Sequence, residues 1–105
     1  MYILGGVAVV EHIVIFKFNE TTSVEQQTEA IQKLKNLKNE ISGIVDIQAG
    51  LNFSDRSQGF QVGLTVRFED KQALEAYGPH EKHQEAVSYL KEIGLSDIVV
   101  IDFEI

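Results

Sequence analysis

Two hydrophobic rhythms divide the chain, a period of two that marks strands and a period near 3.6 that marks helices. "VAVVEHIVIFKFN" is dense in β-branched and aromatic residues, which suits a central strand apolar on both faces, and it predicts a first strand over residues 7–18. Side chains alternate along a strand, so Val10, His12, Val14, Phe16 and Phe18 share one face, while Val9, Glu11, Ile13, Ile15 and Lys17 share the other. His12 is thus expected to point with the aromatics. The next segment, "TTSVEQQTEAIQKLKNLKNEISG", changes rhythm. Ser23 is a helix N-cap with Gln26 three residues on, Val24, Ile31, Leu34, Leu37 and Ile41 form one stripe, and Gly43 is the stop, which predicts an amphipathic helix over 23–42.

"IVDIQAGLNF" returns to alternation, with Val45, Ile47, Ala49, Leu51 and Phe53 on one side, and "FQVGLTVRF" does the same with Phe60, Val62, Leu64, Val66 and Phe68. The polar "SDRSQG" between them makes the pair a hairpin. "EDKQALEAY" is a short helical stretch that Gly78-Pro79 interrupts, because proline suits the first turn of a new helix and disfavours helix in the residue before it. That new helix is expected over 80–92, ended by Gly94. "DIVVIDFEI" closes the sequence as a fourth strand, with Val99, Ile101 and Phe103 on its apolar side.

The order β, α, β, β, α, β is a split βαβ arrangement of the α+β class, with four strands in one antiparallel sheet and both helices on a single face. The other face carries Gln48, Asn52, Gln61, Thr65 and Arg67 but also Ile13 and Ile15, a mixture ill suited to bare solvent surface. A second copy would cover it, so a two-fold homodimer with sheets face to face is expected.

At 105 residues the chain has room for one domain, with a core over about 9–104. Residues 1–8 read as an extension of the first strand, or as a stretch upstream of a different start. Their apolar run is cut by Glu11 and lacks a basic leader, so neither a signal peptide nor a membrane anchor is expected. A net charge of −7 with no Lys/Arg cluster argues against nucleic acid and anionic membranes as partners. With no cysteine there is no disulfide or thiolate zinc site, and a cytoplasmic setting is the default.

Taken in order, "VEHIVIFKF", "GFQVGLTVRFEDKQALEAY", "YGPHEKHQEAV" and "DIVVIDFE" make the chain similar to the stress-responsive dimeric alpha/beta barrel family over roughly residues 9–104. The resemblance implies a ferredoxin-like protomer and a dimer in which two sheets build a barrel with the helices outside. The family includes stress-associated proteins without an established reaction and one well-understood enzyme type, olivetolic acid cyclase. In that enzyme a helix histidine is the base and a tyrosine just before it holds the substrate. These roles fall on His83 and Tyr77, the strand-one histidine on His12, and a pocket-wall aliphatic on Leu64. The chain departs from the cyclase in having Val62 for a second strand histidine, Ile31 and Leu34 for two pocket aromatics, and "HEKH" for the family's usual His-Pro-x-His.

The residues support the same positions independently. His83 lies three before Ala86, four before Val87 and seven before Leu90, so it belongs to the stripe that faces the sheet. A partly buried imidazole suits a general base, and the Tyr77 hydroxyl suits a developing enolate oxygen. His80 lies one helical turn from His83, and together with His12 the three imidazoles could address a metal. No nearby acidic residue or zinc-protease spacing supports that, and no metal or cofactor is expected. Two readings follow: a small dimeric protein with a pocket of unknown ligand, or a cofactor-free cyclase, isomerase or decarboxylase acting on an apolar keto compound. They part on whether Leu34, Leu64, Val87 and Leu90 fill the space between helices and sheet or line an open pocket that His83 and Tyr77 reach.

Overall fold

In the computed structural model, which describes residues 3–4 and 7–105, the strand that carries His12 lies inside the sheet. Ile3–Leu4 (β1) and Val7–Ala8 (β2) form a separate two-stranded hairpin, and Val10–Phe18 (β3) is the first strand of the main sheet. The single strand expected over 7–18 therefore breaks at Val9, which is buried and whose carbonyl accepts the Ile105 N–H at 2.9 Å. Residues 1, 2, 5 and 6 of the expected extension lie outside the described residues.

Val24–Asn36 (α1) follows, capped by a reciprocal Ser23–Gln26 pair. The helix predicted to run to 42 leaves α geometry earlier and tightens into a 3₁₀ turn over Leu37–Asn39, a common way of bonding the last carbonyls. Gly43 then takes φ +88°, and its carbonyl accepts the Glu69 N–H at 3.0 Å. Ile31, Leu34, Leu37 and Ile41 are buried as the stripe required, but Val24 is exposed at the helix start and Gln27 and Ala30 are buried instead.

Ile44–Leu51 (β4) and Val62–Phe68 (β5) form the expected hairpin, shorter at the loop end than the alternation suggested. A bulge between Ile44 and Asp46 shifts the register, so Val45 faces solvent and Ile47 the core. From Asn52 onward local side chains take over the backbone groups, with Asn52 bonding Phe60 and Ser54, and Ser57 the Gly59 N–H. Phe53, expected on the apolar side of the strand, is fully exposed at the loop.

Lys71–Tyr77 (α2) is capped by Asp70, and Glu81–Ile93 (α3) begins one residue later than expected because His80 is its N-cap, its Nδ1 accepting the Lys82 N–H at 3.1 Å. Gly94 ends α3 at φ +116°. Leu95–Glu104 (β6) completes a sheet of order β4-β5-β3-β6, antiparallel throughout. The four strands with helices on one face make the ferredoxin-like arrangement.

Phe68, Val62 and Val66 on β5 are almost fully enclosed between β3, β4 and the helices. By contrast β6 is an edge strand that the helices leave partly bare. Its pairing with β3 sets Ile98, Val100 and Asp102 beside Phe16, Val14 and His12 on the helix side, and Val99, Ile101 and Phe103 beside Ile15, Ile13 and Glu11 on the helix-free side. The residues read as the apolar side of the last strand thus face away from the helices. Among the described residues no helix is long and apolar enough to cross a membrane.

Candidate active site

The site forms where β3, β6, α2 and the start of α3 meet. Gly78, between Tyr77 at the end of α2 and the break before α3, is where two side chains converge: its carbonyl accepts from His83 Nδ1 at 2.8 Å and from Gln84 Nε2 at 2.7 Å. A carbonyl can only accept, so His83 carries its proton on Nδ1 and leaves Nε2 as a lone pair. Burial lowers the His83 pKa below its ordinary 6.5; the Gly78 bond opposes this and the His12 and His80 imidazoles add to it. The ring is therefore neutral at neutral pH.

Tyr77 is 2% exposed, and its ring centroid lies 4.2 Å from that of His83. Phe68 meets it edge-on at 5.0 Å and His12 at 5.9 Å, which holds the phenol in one orientation. Burial pushes its hydroxyl pKa up to about 12, so it is a neutral donor throughout the physiological range.

His12 projects from β3 and bonds through Nδ1 to Asp102 Oδ1 at 2.5 Å. An ionised carboxylate only accepts, so Nδ1 carries the proton here too and Nε2 is the remaining ring nitrogen. Asp102 was not among the residues picked out from the sequence. The signal available was the antiparallel pairing of first and last strands, which sets positions 12 and 102 opposite each other on the helix side once the register is known.

These three aromatic side chains border a cavity of about 220 Å³ whose other walls are apolar. Leu34, Leu64 and Val87 line it as expected, together with Leu90, so the four aliphatics bound the space and do not fill it. Ile31 does not line it; it is buried in the core on α1, one turn from Leu34. Val14, Phe16, Leu74, Leu95, Ile98 and Val100 complete the walls. Ile98 and Val100 are each 45% exposed, which places the mouth of the cavity along β6. The volume is below the ~300–1,000 Å³ of drug-sized sites, so the fit is to a small ligand.

His80 stands apart from this set, occupied as the cap of α3. Among the described residues no group of three His, Cys, Asp or Glu side chains is placed to hold a metal ion. A larger depression between α1 and α3 is bordered by Lys33, Glu40, Lys82 and Glu85, where Lys82 pairs with both carboxylates; it is a solvated charged surface.

Fold and site together define an α+β protomer of ferredoxin-like topology with a small apolar pocket holding two imidazoles and a phenol. The chain belongs to the Stress responsive A/B Barrel Domain family, which it matches over residues 10–105. It is 28% identical over 98 residues to a stress-response A/B barrel domain-containing protein of Arabidopsis thaliana, covering 90% of this chain and 85% of that one. A dimeric protein of unknown function and ferredoxin-like fold from Bacteroides fragilis superposes with a TM-score of 0.77 at 27% identity, covering 99% of this chain and all of the other (100%). The hydroxynitrile lyase of Passiflora edulis shares the fold, with a TM-score of 0.82 at 20% identity over 93% of this chain and 94% of the lyase.

Proposed function

We propose that the protein is a cofactor-independent acid–base enzyme of the cyclase, isomerase or decarboxylase kind, acting on a small apolar carbonyl compound. The observation that carries this reading is the state of His83, an imidazole held neutral by burial, with Nδ1 committed to Gly78 and Nε2 free, 4.2 Å ring to ring from a buried neutral phenol. His83 Nε2 takes a proton from the carbon next to the carbonyl. The electron pair moves onto the carbonyl oxygen, and the Tyr77 O–H donates a hydrogen bond to the enolate as its charge develops. Where a double bond adjoins the enolate, the pair extends to its far carbon and return of the proton there from His83 isomerises the compound. Where a second carbonyl is in reach, attack of the enolate carbon on it closes a ring and the new alkoxide takes the proton back from His83. His12, held by Asp102, is the second imidazole available to donate to or accept from the reacting oxygen.

The same reading takes the working species to be a homodimer joined through the helix-free sheet face. Its support is the row of Ile13, Ile15, Val99, Ile101 and Phe103, and the hollow of about 260 Å³ where Gly50 lies opposite Gly63. A partner's side chains would fill that hollow, since a Cβ on either glycine would meet nothing within 4 Å.

Proton abstraction can be tested without knowing the final product. Apolar ketones are incubated with the protein in D₂O, and loss of their α-protons is followed by NMR. Wild type is expected to accelerate exchange, His83→Ala to lose about 10²–10⁴-fold of it, and Tyr77→Phe to lose a smaller part. Exchange by wild type no faster than by free imidazole at the same concentration would refute the reading.

A further inference from the structure

Beyond the apolar pocket, a second depression of about 340 Å³ lies against β3, α2 and β6, bordered by Val10, Lys71, Glu75, Asp102 and Glu104 among others. The two spaces follow each other along one line. On β3, Val10 borders the second depression, while His12 and Val14 border the pocket. On β6, Glu104 and Asp102 border the depression and Val100 and Ile98 the pocket, each opposite its β3 partner in the pairing register. On α2, Lys71 borders the depression and Tyr77 the pocket, with Leu74 between them at helical spacing of three. Leu74 is the residue common to both walls. On the sheet side the His12–Asp102 pair likewise spans the two, with His12 in the wall of one space and Asp102 in that of the other.

We propose that Leu74 is the partition that sets how long a ligand the site accepts: it closes the apolar pocket just beyond the reacting groups, and a smaller side chain there joins pocket and depression into one channel. This rests on the reading of the pocket as a carbonyl site and adds a specificity-determining residue that does not touch the proton being moved. The chemistry of the ligand follows from the walls. Glu75, Asp102 and Glu104 outnumber Lys71 in the depression, and Lys71 is already bound to Glu104 at 2.8 Å. An anionic tail would be repelled there, so a ligand extended past Leu74 carries no negative charge on that part.

The test uses symmetrical dialkyl ketones of increasing arm length, from diethyl to dipentyl ketone, with binding measured by calorimetry on wild type, Leu74→Ala and Leu74→Phe. Wild-type affinity is expected to rise about three- to fourfold per added buried methylene and then to fall at the arm that meets Leu74. In Leu74→Ala the fall moves to longer arms; in Leu74→Phe it moves to shorter ones. Leu74 is only partly buried, and the opposite expected shift in Leu74→Phe separates a partition effect from loosened packing. Ketone binding with the same length limit in all three proteins would overturn the inference while leaving the carbonyl site standing. Binding of no ketone by any of them would overturn both.

Discussion

At the scale of single residues, the site depends on what fixes each ring. His83 and Tyr77 could be paired from the sequence, because the helical stripe through Ala86, Val87 and Leu90 carries His83 inward and the Gly78-Pro79 break puts Tyr77 just ahead of it. Their chemical states could not be read there. The neutral His83 depends on burial by the assembled pocket, and its tautomer on the Gly78 carbonyl. Its pKa in the folded protein lies below the ordinary 6.5, so as pH falls the unfolded chain takes up the proton first. This group's contribution is therefore fully present above that value and is lost as pH drops through the folded pKa. Thermal melts between about pH 7 and pH 5 are expected to show a decline that is shallower in His83→Gln. The proton-exchange rate of wild type should likewise persist below the ordinary imidazole range before it falls. A decline of equal slope in both proteins would show that His83 protonates as freely folded as unfolded.

At the scale of elements, periodicity and capping identified the strands and helices, and failed where a local competitor acted on the backbone. The Ser23–Gln26 box starts α1 where the motif placed it. The bulge between Ile44 and Asp46 turned Val45 outward, and side-chain bonds from Asn52, Ser54 and Ser57 ended the hairpin strands short of Phe53 and Phe60. Such competition between side chain and ladder has no hydrophobic period to betray it. The turn after α1 shows a constraint that is partly legible, since a glycine at a helix end signals φ > 0, whereas its closeness to α2 does not. A Cβ on Gly43 would lie 2.7 Å from the Ala73 Cβ, at φ +88°. Gly43→Ala is expected to lower stability by roughly 2 kcal/mol or more, from about 1–2 kcal/mol of left-handed strain plus the contact. Urea midpoints of wild type and Gly43→Ala measure the difference.

For the whole molecule, the question is what covers β6 and the helix-free face. Ile98, Val99, Val100, Ile101 and Phe103 are each 43–52% exposed, and a long apolar edge strand is a surface that folded proteins normally protect. Burial of its helix-free side by a second copy predicts a dimeric mass in light scattering at micromolar concentration. Ile101→Lys, which sets a charge in the middle of that row, is expected to shift the mass toward the monomer with the protomer fold retained in circular dichroism. A monomeric wild type would defeat the expectation. The order of the main-sheet strands and the helices between them, the single helix-bearing face and the inward side of His83 were determined by the sequence itself, because side-chain periods of 2.0 and 3.6 are local properties of the chain. Only the tertiary structure decided that Leu34, Leu64, Val87 and Leu90 surround a space without filling it, that Asp102 meets His12 from ninety residues away, and that Leu74 borders both the pocket and the depression beside it. Each of these depends on the register between β3 and β6 and on how far the helices stand off the sheet, distances that packing sets and no local pattern encodes.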